Sequence, residues 1–177
     1  INAGPLSYGN STFNPMRLTV KDSVSTNFPC YAYGSNMNVT FDNTYYYIAK
    51  QHLFVNSGST NVTLRFINGS KFDNYSGDYR FGNSSYYPTG CRFSFESGSE
   101  LERNLNLLAN ANSADNILAF TNSTFTGWLT VKGKNNVVEF VDSTWTFTGT
   151  SGTFPSLYGV GNRLMVRDVR EMGATPI

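Results

Sequence analysis

At 177 residues the chain fits one domain large enough to bury a sizeable core. Charged residues make up only 14% of it, and the net charge of +1 comes with no Lys/Arg run beyond a neighbouring pair. This excludes the electrostatic footprint of a nucleic-acid or membrane-surface binder, and no apolar run approaches the ~18 residues of a transmembrane helix.

The 14 Phe and 11 Tyr argue against disorder. Together with abundant Thr, Asn, Ser and Gly they read as all-β, strands separated by turns. Ile1 in place of Met makes a processed or truncated chain the expectation. Residues 1–15 read as a leader or cap, and residues 171–177 as a tail.

Between them one motif recurs seven times, at residues 17–24, 38–45, 63–72, 92–99, 117–125, 137–145 and, more weakly, 163–169. Each copy is an alternating strand, a short polar turn and a further apolar residue. The anchors Val20, Phe41, Phe66, Phe95, Phe120, Phe140 and Val166 are spaced by 21, 25, 29, 25, 20 and 26 residues. A period of this size is one turn of a solenoid, whereas a flat meander turns every ~8–12 residues. Alternation points Leu18, Val39, Leu64, Phe93, Leu118, Val138 and Leu164 inward beside the anchors. The six prolines fall outside the motif strands, and 131–140 matches 157–166 without a gap, with Asn136 opposite Asn162. Segments 53–55, 105–107 and 129–131 read as a second strand column.

Two residues after each anchor comes Asp22, Asn43, Asn68, Ser97, Asn122, Asp142 or Asp168. Short polar side chains of this kind tolerate a left-handed backbone and bond to it locally. Stacked, they predict a polar ladder at one corner. The pattern resembles the Asn ladder of the pectate-lyase-like right-handed parallel β-helix superfamily, over residues 16–170. The fold implied is a right-handed β-helix of about seven rungs. A jelly roll or β-sandwich is the competing architecture.

Residues 73–90 interrupt the longest repeat as an aromatic-rich insertion. Its Tyr75, Tyr79, Tyr86 and Tyr87 are placed outside the coil, as candidates for stacking on a sugar or anchoring an interface. The run Tyr45-Tyr46-Tyr47 lies one repeat earlier. Cys30 and Cys91 predict one disulfide and an oxidising compartment. Seven Asn-x-Ser/Thr sequons occur, and Asn74 and Asn83 on the insertion are the best candidates for N-glycosylation.

Enzymes of the resembled superfamily carry an acidic calcium cluster with a basic residue, or paired aspartates with Gly-His-Gly and Arg-Ile-Lys. Neither tripeptide is present, and His52 is the one histidine. Asp73, Asp78 and Arg80, and separately Glu100, Glu102 and Arg103, read as solvated loop charges. There is no phosphate loop or dinucleotide fingerprint, so no cofactor or metal is expected. The reading leans away from an enzyme, with a polysaccharide lyase or glycoside hydrolase as the alternative.

A solenoid ends in open strand edges that pair with another chain unless capped. The chain is therefore similar to adhesin-like and autotransporter-type surface solenoids. That resemblance implies an extracellular structural or adhesive protein, associating with itself through its ends into a fibre or surface layer. A glycan-binding or phage tail-fibre module is a further alternative.

Overall fold

A computed structural model describes residues 16–26, 35–48, 59–74, 81, 87–104, 110–127, 129–146 and 156–171. Among them every regular element is a strand and none is a helix. In chain order these are β1 (Met16–Lys21), β2 (Val24–Thr26), β3 (Ser35–Asp42), β4 (Tyr45–Ile48), β5 (Ser59–Ile67) and β6 (Lys71–Asn74). They continue with β7 (Pro88–Thr89), β8 (Arg92–Glu96), β9 (Glu100–Asn104), β10 (Ile117–Thr121), β11 (Thr124–Gly127) and β12 (Thr130–Val131). The last are β13 (Val137–Val141), β14 (Thr144–Thr146), β15 (Ser156–Leu157), β16 (Arg163–Arg167) and β17 (Arg170–Glu171).

The order of the first sheet is β1-β3-β5-β8-β10-β13-β16, with β7 joined to β5 off that path. The second runs β17-β14-β11-β9-β6-β4-β2. A third face is marked by the β12–β15 pair and by the bridges Thr89–Ala114–Lys134–Val160. Strands that neighbour in space are parallel and about one repeat apart in sequence. The fold is therefore a parallel β-solenoid.

The first sheet has the register that the alternation predicts. Val20, Phe41, Phe66, Phe95, Phe120, Phe140 and Val166 lie opposite one another in turn. The five phenylalanines stack face to face, with ring centroids 4.8, 4.6, 5.1 and 4.7 Å apart and planes within 10°. The strand spacing of a sheet, about 4.8 Å, sets that distance. Burying each ring contributes on the order of 2–3 kcal/mol, and each stacked pair about 1 kcal/mol more. From the second sheet Tyr46, Phe72, Leu101, Phe125 and Trp145 complete the core.

Just past the polar turn, Thr44, Ser70, Ser99, Ser123 and Ser143 form a buried column. Ser70 Oγ donates to the carbonyls of Phe41 and Ile67 and accepts from the N–H of Thr44. The hydroxyls of Thr44, Ser70, Ser99 and Ser143 thus satisfy backbone groups where the ladder bends, whereas Ser123 Oγ is buried without a partner among the described residues.

Of the run Tyr45-Tyr46-Tyr47, the middle ring points into the core, whereas Tyr45 pairs in register with exposed Val24. Two sequence expectations need correction. The insertion is shorter than 73–90, because Asp73 and Asn74 belong to β6 and Pro88 and Thr89 to β7. Pro88 opens its strand, a position proline tolerates. The insertion is also not wholly outside the coil. Phe81 is fully buried, its ring stacked on Phe93 at 4.3 Å.

Candidate functional site

The predicted corner residues Asp22, Asn43, Asn68, Ser97, Asn122, Asp142 and Asp168 all have φ between 45° and 55°. They turn the chain through the left-handed region, where Asn and Asp cost least. Asn43 Nδ2 donates to Asp22 Oδ1 at 2.8 Å, whereas Asn68 Nδ2 reaches Asp42 Oδ1 instead. A second corner, not foreseen, repeats the device at Asn36, Asn61, Gly90, Asp115, Asn135 and Gly161. Its sequence signal was the gapless match of 131–140 on 157–166, which sets Asn135 opposite Gly161.

The buried amide ladder lies one residue beyond this second corner, after Asp115, Asn135 and Gly161. Asn116 and Asn136 are fully buried and Asn162 partly so. Asn116 Nδ2 donates to Asn136 Oδ1 at 2.8 Å, and Asn136 Nδ2 to Asn162 Oδ1 at 3.1 Å. Each Oδ1 also takes the backbone N–H of the coil before it. Cys91 holds the same position one coil earlier, since Arg92 pairs with Ile117. Its thiol is buried and unbridged among the described residues, lies 3.5 and 3.6 Å from the carbonyls of Thr89 and Ser59, and is pushed up in pKa by burial. Cys30 lies outside the described residues, so the disulfide remains a proposal.

The outer face of the second sheet gathers the surface chemistry. Tyr45, Lys71, Glu100, Thr124, Thr144 and Arg170 form one column in register. Tyr47, Asp73, Glu102, Thr126 and Thr146 form the next. These side chains alternate with the buried core residues, so they face outward. The rings of Tyr45 and Tyr47 lie 6.5 Å apart at 22°. Tyr45 OH donates to Asp73 Oδ2 at 3.4 Å. Burial first, then the Asp73 charge, raises the Tyr45 pKa, so the phenol stays a donor. Asp73 Oδ1 is buried without a hydrogen-bond partner among the described residues. Lys71 Nζ sits 2.7 Å from Glu102 and 3.4 Å from Glu100. Glu102 is the larger cause of its raised pKa, which keeps the ammonium charged.

Asp73, Glu100 and Glu102 are thus strand residues on one face, not loop charges in two separate clusters. Both glutamates are engaged by Lys71, unlike a free acid and base flanking a bond. Among the described residues no group of three or more His, Cys, Asp and Glu could hold a metal ion. No described helix is long and apolar enough to cross a membrane.

Other candidates are placed only in part. Tyr87 is half-buried ahead of β7, and the backbone of Asn74 ends β6. Tyr75, Tyr79, Tyr86, Asn83, His52, Asp78 and Arg80 lie outside the described residues, as do 1–15 and 172–177. No family model, curated protein or solved structure matches the chain.

Proposed function

We propose that the chain is an extracellular adhesive β-solenoid that holds a glycan on the outer face of its second sheet. The observation that supports this reading best is the Tyr45–Tyr47 pair on the outer face, beside the Asp73 carboxylate. Aromatic faces stack on sugar rings, and a carboxylate beside them accepts from hydroxyl or amine donors. Thr124, Thr126, Thr144 and Thr146 extend the same face with a regular array of hydroxyls. Low charge and many Asn, Ser and Thr fit a surface-exposed module, as in the adhesin-like solenoids that the repeat resembles.

Charge narrows the ligand class. Asp73, Glu100 and Glu102 outnumber Lys71 on this part of the face. It repels uronic-acid polymers and favours neutral or amino sugars. The same imbalance counts against a lyase acting on acidic polysaccharide.

Calorimetry with chito-oligosaccharides, neutral glucans and oligogalacturonates tests the proposal. Binding of a neutral or amino sugar is expected, weakened at least tenfold in Y45A/Y47A and in D73N. Preference for oligogalacturonate, or binding indifferent to both variants, overturns it.

A further inference from the structure

A groove of about 350 Å³ opens on the corner between the first and second sheets. Small-molecule sites begin at roughly that size. Its lining comes from three successive coils: Asp22, Ser23 and Val24, then Asn43, Thr44 and Tyr45, then Gly69. It therefore lies on the side of the stack and not at its end. A difference in turn length makes the step that bounds it. The first two coils pass this corner through one left-handed residue, Asp22 or Asn43, whereas the third passes it through Asn68 and Gly69, at φ +55° and +77°. A Cβ on Gly69 would meet nothing within 4 Å, so the groove is open there.

The groove runs into the outer face of the second sheet. Val24 lies opposite Tyr45 in register, and Tyr45 is both a wall of the groove and half of the Tyr45–Tyr47 pair.

Its side-chain donors are already engaged by the protein. Ser23 Oγ donates to the carbonyl of Lys21, and Thr44 Oγ1 to those of Val20 and Asp42. Asn43 Nδ2 donates to Asp22 Oδ1, and Tyr45 OH to Asp73. What remains for a ligand is acceptor capacity, above all the Asp22 carboxylate. The neighbouring cations are held elsewhere, Lys21 by Asp42 at 3.7 Å and Lys71 by Glu102 at 2.7 Å. A carboxylate or phosphate finds no counter-charge here. An ammonium finds Asp22 beside the apolar surfaces of Val24 and Tyr45.

We propose that this groove is a subsite for the charged amine of an amino sugar, with Asp22 as its counter-ion. It rests on the glycan reading of the adjoining face and narrows the ligand there to one with free amines. A glycan stacked on Tyr45 and Tyr47 passes Val24 into the groove and sets its ammonium at Asp22 Oδ2, the oxygen that Asn43 does not use. A charge-assisted hydrogen bond of this kind is about twice as strong as a neutral one.

Calorimetry with β-1,4-linked tetrasaccharides of glucosamine, N-acetylglucosamine and glucose, at slightly acidic pH, tests the subsite. The wild type should bind the glucosamine oligomer about tenfold tighter than the other two, and less so at high salt. D22N should remove that preference, with folding checked by circular dichroism. The substitution suits the backbone, since Asn43, Asn68 and Asn122 fill the same corner in other coils. D142N, at that corner farther along the stack, should keep the preference. Equal or weaker binding of the glucosamine oligomer, or a preference unmoved by D22N, overturns the subsite. The glycan reading then survives if Y45A/Y47A still weakens binding. A preference lost equally in D142N reflects net charge alone and overturns the subsite too. Binding of none of the three overturns both.

Discussion

Asn136 Oδ1 accepts two hydrogen bonds from Asn116, one from its backbone N–H at 3.1 Å and one from its side-chain amide at 2.8 Å. Both residues are fully buried. One side chain therefore closes the turn of the neighbouring coil as well as its own, through Lys132 O at 3.0 Å. A buried polar network stabilises only when every member is satisfied.

Replacing Asn136 with Ala leaves two donors of Asn116 and the carbonyls of Ser113 and Lys132 without this partner. The expected loss is about 2–4 kcal/mol. N162A should cost about half as much, because Asn162 is only partly buried. Urea unfolding of both variants checks the order. Equal losses would mean that burial of the amide does not govern the ladder.

Close stacking of the third face makes a sharper prediction. A Cβ on Gly133 would lie 1.9 Å from the carbonyl oxygen of Ser113, in backbone that cannot retreat, at φ +99°. A Cβ on Gly90, at φ +62°, would meet nothing within 4 Å. G133A should therefore lose about 3 kcal/mol or more, and G90A only about 1 kcal/mol from its left-handed backbone. Thermal melts of the pair separate clash from conformational strain.

The sequence made the first sheet legible because its alternation is strict and its anchors are large. Phe41, Phe66, Phe95, Phe120 and Phe140 could hardly face anywhere but inward. The second sheet was harder to read because the turns differ in length. Gly69 and Gly98 each add a residue, so Lys71 and Glu100 stand five after their anchors, whereas Tyr45, Thr124 and Thr144 stand four after theirs. A fixed count from the anchor therefore misaligns Lys71 and Glu100 with Tyr45, Thr124 and Thr144. The amide ladder was visible only as Asn116, Asn136 and Asn162 at matching places in successive repeats. Nothing in composition distinguishes a buried Asn from the many in turns.

Glu96 gives the fold a weak acid sensitivity. Arg65 donates to it through both Nε and Nη2, at 3.2 and 2.7 Å, and Ser94 Oγ adds a third bond at 2.7 Å. The Arg65 bond is the main cause that lowers the Glu96 pKa. The folded value lies below the unfolded one. The stabilisation is therefore complete above the ordinary carboxylate range and lost as pH falls through the folded pKa. The Arg65 side chain is 45% exposed, so solvent screening holds the gain below about 1 kcal/mol. Urea midpoints measured from pH 7 down to pH 3 should fall less steeply for E96Q than for wild type. Parallel curves would assign the acid sensitivity to other carboxylates.

Cys91 sits where the next three coils of its column carry Asn, and burial rather than a catalytic neighbour sets its chemistry. Thiolate is the species that alkylates, and a raised pKa together with burial suppresses it. Native Cys91 should resist iodoacetamide at neutral pH and react once the chain is unfolded. A bridge to Cys30 would behave differently, with neither cysteine labelled in denaturant until a reductant is added. Mass spectrometry of the unreduced, denatured chain distinguishes the two. Labelling of both cysteines removes the disulfide and with it the cysteine argument for an oxidising compartment. A linked Cys30–Cys91 peptide pair would tie the segment before β3 to the wall of the solenoid and retain that argument.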